Sequence, residues 1–191
     1  MNIKTLYLSD LDGTLLQNDA SLSPYAVREL NRMIEKGLCF SISSARSTGT
    51  VLGILDGLRL QVPIALFNVV IYYDYLAARF VRILEIAPQA AQQFALFMER
   101  YGLHNPMYTY RDQQLFGCYT SLDTERERQF AAERSRFPQK KGRQVDSLVQ
   151  TAEKERVVFF SMPGPKDKMD CLYAEMKKIP GITLSYYMDT Y

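Results

Sequence analysis

Asp10 and Asp12 stand one residue apart in Ser9-Asp10-Leu11-Asp12-Gly13-Thr14-Leu15, directly after the apolar run Ile3–Leu8. A run rich in Ile, Leu and Tyr predicts a buried strand, and the acidic turn after it predicts both carboxylates at the strand's carboxyl end. Open α/β sheets bind their ligands there. Gly13 lets the chain turn sharply, and the Thr14 hydroxyl can bond to a neighbouring carboxylate. Such a pair suits phosphoryl transfer. One carboxylate attacks phosphorus and carries an acyl-phosphate. The other protonates the leaving oxygen and later deprotonates the attacking water. Oxygens this close together also suit Mg2+, which offsets the repulsion between like charges. The plainer alternative is an acidic turn that only caps a strand. An EF-hand loop fits worse, since it needs a glutamate where this chain has Ser21.

Asp10-Leu11-Asp12-Gly13-Thr14-Leu15 resembles the first motif, D-x-D-G-T-L, of the haloacid dehalogenase-like phosphatases. The resemblance implies Asp10 as nucleophile and Asp12 as general acid/base. It also implies that the Asp10 carboxylate and the Asp12 backbone carbonyl bind Mg2+, and that the Leu11 N–H holds a phosphoryl oxygen. A second expected strand, Leu38–Ser43, ends in Ser43-Ser44-Ala45-Arg46-Ser47. That ending is similar to the second motif of the superfamily, which commonly reads A-T-G-R in its Cof-like subgroup. Ser44 then falls where the phosphate-binding hydroxyl belongs and Arg46 where the subgroup keeps its arginine, with Ala45 in place of glycine. A hydroxyl and N–H groups that open a helix can hold a phosphate oxygen, and Arg46 can add a charge-assisted contact. A serine there is equally an ordinary N-cap. Asn68 follows the third expected strand, where the subgroup's N-G-A begins; here the triplet is Asn68-Val69-Val70. Asn68 reads either as a site residue or as a turn residue.

These residues need a scaffold, and the surrounding pattern predicts one. Ser23 as N-cap and Pro24 at the first helical position open a helix with an apolar stripe at Val27, Leu30 and Ile34, which Gly37 ends. Strand, helix and strand in that order make a βαβ unit with parallel strands. A helix over Thr48–Leu58 and a strand over Val62–Phe67 extend it. The expected fold is therefore α/β: a partial Rossmann-like parallel core over 1–70, a hinge or hairpin over 71–82, and an α+β layer over 83–191. In the latter, Pro88 to Arg100 has helical spacing, and Met107–Arg111 and Leu115–Thr120 alternate as two antiparallel strands. Asp123 caps a charged helix to about Phe137. Lys140-Lys141-Gly142-Arg143 reads as a basic loop, Gln144–Val149 and Val157–Met162 as strands, Lys166 to Lys178 as a helix, and Ile182–Tyr191 as a final strand. The resemblance implies that this layer is the inserted cap of the Cof-like phosphatases.

Composition narrows the function. The 191 residues are 47% hydrophobic and 23% charged, with a net charge of +2, values of an ordinary globular chain. That balance argues against a nucleic-acid partner and an anionic membrane, and no apolar run reaches a membrane span. The N-terminus lacks the regions of a signal peptide, which predicts a cytoplasmic protein. Cys39, Cys118 and Cys171 are widely spaced and read as buried free thiols; with His104, read as a surface loop residue, they make no zinc site. Neither the P-loop nor the G-x-G-x-x-G pattern occurs.

The resemblance further implies a lysine and a strand ending in an acidic pair, both after the cap. No G-D-x-x-x-D is present in these 191 residues, and Asp167 and Asp170 stand beyond Pro163-Gly164-Pro165. Two expectations follow. Ile3–Leu8 becomes an exposed apolar edge that invites self-association, and the Mg2+ affinity and turnover of this chain alone are low. The function expected is a Mg2+-dependent phosphatase of small phosphorylated metabolites. The alternative is a non-catalytic binding protein on the same fold.

Overall fold

The computed structural model describes residues 5–125, 128, 129, 132 and 140–186. The chain divides into two compact units, Met1–Leu84 and Glu85–Tyr191.

The first unit is the expected α/β arrangement. β1 (Leu6–Ser9) pairs in parallel with β2 (Cys39–Ile42), with Leu6 opposite Cys39 and Ser9 opposite Ile42. Between them runs α1 (Pro24–Glu35). Its start is as expected: the Ser23 hydroxyl accepts from the Ala26 N–H at 3.0 Å. Its end is set by Gly37 at φ +98°, where the N–H groups of Gly37 and Leu38 turn back onto the carbonyls of Ile34 and Met33. The helix after β2 is shorter than expected. α2 spans only Thr48–Val51, and turns carry the chain to Gly57 at φ +85°. The Asn31 side chain on α1 holds that segment, donating to the Gly57 carbonyl at 2.8 Å and accepting from the Arg59 N–H at 2.9 Å. A bond across the fold thus competes with helix continuation.

β3 (Ile64–Leu66) extends the core through a parallel bridge between Ser43 and Ala65. It then pairs with β4 (Ile71–Asp74), which pairs with β5 (Arg79–Ile83), both antiparallel. Leu11, Ile34, Ile42, Leu55, Ile64 and Leu66 of this unit are each nearly or wholly buried. β1 departs from a buried strand: Leu6, Tyr7 and Leu8 are 53%, 55% and 55% exposed. Among the described residues β1 has β2 as its only strand neighbour, so one edge stays open.

The second unit is an antiparallel-rich sheet with helices packed on it. α3 (Pro88–Arg100) precedes the hairpin of β6 (Met107–Arg111) and β7 (Gln114–Tyr119). Asp112 and Gln113 close the hairpin at φ +49° and +61°, the double left-handed turn that matches strand twist. Two expectations are corrected here. Lys140-Lys141-Gly142-Arg143 is not a loop but opens β8 (Lys140–Gln144), parallel to β7. Its charge is accommodated because the Arg143 guanidinium pairs with Glu155 at 2.7 Å and lies 5.2 Å from the Phe116 ring centre. The strand expected over Gln144–Val149 does not form: Gln144 ends β8, and Leu148 and Val149 begin α4 (Leu148–Lys154). β9 (Arg156–Phe160) completes the sheet in the order β8-β7-β6-β9, and α5 (Lys166–Met176) follows.

The charged helix expected from Asp123 to about Phe137 lies largely outside the described residues. So does the end of the expected last strand. Its described part, Ile182–Tyr186, forms no strand. Tyr186 instead stacks on Tyr173 of α5 and donates its hydroxyl to Asp170. Of the thiols, only Cys118 is buried; Cys39 is half-buried and Cys171 exposed, because α5 turns that position outward.

Candidate functional site

The site forms where β1 and β2 end side by side. β1 delivers Asp10 and the turn after it delivers Asp12. That turn has Asp12 at φ −73°, ψ 125° and Gly13 at φ +70°, ψ 3°, a type II geometry that only glycine takes without strain. The Leu16 N–H closes it on the Leu11 carbonyl at 2.9 Å. Leu11 is wholly buried and anchors the turn, while Asp10 stays exposed and Asp12 half-buried.

Parallel pairing brings the end of β2 to the same edge. The Ser43 N–H donates to the Ser9 carbonyl at 2.8 Å, which aligns Ser44-Ala45-Arg46 with the acidic turn. Arg46 then reaches Asp12. Its Nε donates to Asp12 Oδ2 at 2.8 Å and its Nη2 to Asp12 Oδ1 at 2.6 Å, a two-point contact. Ser44 is buried, and its hydroxyl accepts from the Arg46 N–H at 3.2 Å.

The loop after β3 completes the cluster. Phe67, Asn68 and Val69 all lie in the left-handed region, at φ +50°, +53° and +72°. The Phe67 N–H donates to the Arg46 carbonyl at 3.2 Å and the Asn68 N–H to the Ser44 carbonyl at 3.3 Å. For a β-branched residue such as Val69 this conformation is strained. Backbone bonds to the Ser44–Arg46 segment hold it there.

Asp12, Ser44, Arg46 and Asn68 are thus joined by hydrogen bonds. Asp10 is tied in through β1, and the Leu11 N–H donates to Asp10 Oδ1 at 2.7 Å. Two features escaped the sequence reading. The Asp12–Arg46 pair links residues read as having separate roles. The left-handed run at Phe67–Val69 had no signal beyond Asn68, because no glycine marks it.

The donors at the acid turn are hard oxygens, the chemistry Mg2+ prefers. Among the described residues no group of three or more His, Cys, Asp or Glu side chains gathers to hold a metal ion. Asp10 and Asp12 offer carboxylate and carbonyl oxygens, the ligand type that a largely hydrated Mg2+ accepts. Among the described residues no helix is long and apolar enough to cross a membrane.

The model of the haloacid dehalogenase-like hydrolase family matches residues 7–189. No curated protein sequence matches the chain. Among solved structures, a Thermotoga maritima protein is 17% identical, with 92% of this chain and 62% of that chain aligned at a TM-score of 0.66. A HAD/COF-like hydrolase of Plasmodium vivax is 18% identical over 92% of this chain and 61% of its own, TM-score 0.65. A subclass IIB sugar phosphatase is 13% identical over 92% of this chain and 64% of its own, TM-score 0.60. At these identities the likeness is one of fold. The chain spans between 61% and 64% of the lengths of these three structures.

Proposed function

The chain belongs to the haloacid dehalogenase-like hydrolase family, and on that premise we propose that it is a cytoplasmic Mg2+-dependent phosphohydrolase of small phosphorylated metabolites. The observation that carries this reading is the meeting of the acid turn and the Ser44–Arg46 segment at one end of the parallel strands, tied by the 2.6 Å contact between Arg46 and Asp12. A strand-end carboxylate beside a second carboxylate, a buried serine hydroxyl and an arginine is a phosphoryl-transfer set. The names of similar structures support the class, since one is a sugar phosphatase and another is described within a phosphoryl-transfer superfamily.

In this reading Asp10 attacks phosphorus, forming an aspartyl-phosphate as the substrate alcohol leaves. Asp12 gives that oxygen its proton. It then takes one from the water that attacks the aspartyl-phosphate, which releases inorganic phosphate and restores the Asp10 carboxylate. Ser44, the Leu11 N–H and Arg46 hold the phosphoryl oxygens, and Asn68 contacts the substrate. The Asp10 carboxylate and the Asp12 carbonyl would hold Mg2+, which supplies positive charge against the carboxylate and the phosphoryl oxygens.

The test is release of phosphate from p-nitrophenyl phosphate by the full chain. Turnover is expected only with Mg2+, and Asp10→Asn should lower kcat by about a thousandfold or more. An Asp10→Asn protein as active as the parent would remove the nucleophile. No turnover in either, with metabolite binding intact in both, would establish the non-catalytic reading instead.

A further inference from the structure

The residue assigned to proton transfer and the residue assigned to phosphoryl binding hold each other. Arg46 spends Nε and Nη2, one edge of its fork of N–H donors, on the two oxygens of Asp12 at 2.8 and 2.6 Å. A phosphoryl group that binds this same edge at two points competes with Asp12 for it. The main chain of Arg46 is pinned from both sides: its N–H donates to Ser44 Oγ and its carbonyl accepts from Phe67 N–H, each at 3.2 Å. Any exchange of partner therefore falls to the side chain. The pair is not sealed. The Arg46 and Asp12 side chains are 22% and 38% exposed, so an anion can reach them, and ion pairs that wet hold weakly.

We propose that Arg46 is a positioning residue that changes partners. It pairs with Asp12 until a phosphoryl group arrives, then turns to the phosphoryl oxygens and releases the Asp12 carboxylate, which takes a proton from water and so becomes the acid that protonates the leaving oxygen. No covalent bond changes in the exchange of partners itself; a phosphoryl anion with its greater charge replaces a carboxylate on one guanidinium. The inference rests on the phosphohydrolase reading above and adds to it an order of events, in which substrate phosphate itself frees the acid/base.

Calorimetric titration with inorganic phosphate tests this on the full chain, using the parent protein, Asp12→Asn, Arg46→Gln and the double variant. Removing the competing carboxylate should tighten phosphate binding about fivefold in the parent background. The same change should alter affinity by less than about twofold when Arg46 is already Gln. Equal tightening in both backgrounds would mean that Asp12 only repels phosphate, and partner exchange would be wrong while phosphate binding stood. Phosphate bound by none of the four at millimolar concentration would overturn the phosphohydrolase reading and this inference with it. Arg46→Lys, which keeps the charge but not the fork, takes the place of Arg46→Gln if that variant does not fold. The Arg46 Nε–H resonance gives a second readout. It should shift on adding phosphate to the parent protein, and a resonance that stays put while phosphate binds would sink the exchange.

Discussion

Gly13 and Val69 border the site, and both sit at positive φ, +70° and +72°. Gly13 suits its place and Val69 does not. A Cβ at Gly13 would meet nothing within 4 Å, so the cost of Gly13→Ala is conformational alone. It should destabilise the first unit by about 1 kcal/mol in urea unfolding. Val69→Gly should act the other way. Val69 is 39% exposed, so little packing is lost, and release of the left-handed strain should stabilise by about 1 kcal/mol. A loss of stability in Val69→Gly would mean that the side chain makes packing contacts worth more than the strain. Asp10, Asp12, Ser44 and Arg46 were all legible as residue types at telling positions. Their hydrogen bonds were not, because Asp12 and Arg46 are 34 positions apart and meet only through strand pairing.

α4 makes the corresponding point for an element. It is a helix of 7 residues, too short to hold itself in water. Its first turn is held from outside. The Glu99 carboxylate on α3 accepts from the Ser147 hydroxyl and from the N–H groups of Leu148 and Val149, at 2.9, 2.8 and 3.3 Å. Glu99→Ala should cost about 1 kcal/mol and speed hydrogen exchange at the Leu148 and Val149 amides before other amides of the second unit. Exchange unchanged at those two positions would remove Glu99 as the cap. The sequence pattern around Leu148-Val149 favours a strand because β-branched residues do. Ser147 caps the helix locally by accepting from the Gln150 N–H at 3.2 Å, and the Glu99 carboxylate that reinforces this cap stands 49 positions before Leu148. β8 was hidden for a related reason. Three basic residues in four suggest a solvated turn, yet the backbone pairs with β7 and the Glu155 carboxylate takes up the Arg143 charge.

Glu155 also contributes to how the second unit answers to acid. Burial pushes its carboxyl up, but the hydrogen bonds from Arg143 and Thr109 outweigh this and hold it below the usual 4.5. A carboxyl lowered by folding stabilises the protein above its unfolded value. That contribution is lost as pH falls from about 4.5 through the folded value. The parent protein should therefore lose part of its stability below that pH, and Glu155→Gln should show a flatter acid limb and cost about 1–3 kcal/mol at neutral pH. Identical acid limbs would exclude this group as the cause. Among the described residues the edge of β1 away from β2 has no strand neighbour, and Leu6, Tyr7 and Leu8 are each more than half exposed. Concentration-dependent association in sedimentation is expected, and Tyr7→Lys should reduce it. A parent protein that stays monomeric at every concentration would rule the edge out as a contact.

Local signals were enough for the acid turn, the serine-capped start and glycine-ended close of α1, the parallel βαβ unit and the β6–β7 hairpin. Each depends on residues within a few positions of one another and on periodicities that the chain carries in itself. Tertiary structure alone decided the short α2, the left-handed Phe67–Val69 run and the clasp between Asp12 and Arg46. In each of these a hydrogen bond or ion pair from a segment distant in sequence outweighs local preference, and no window along the chain contains both partners.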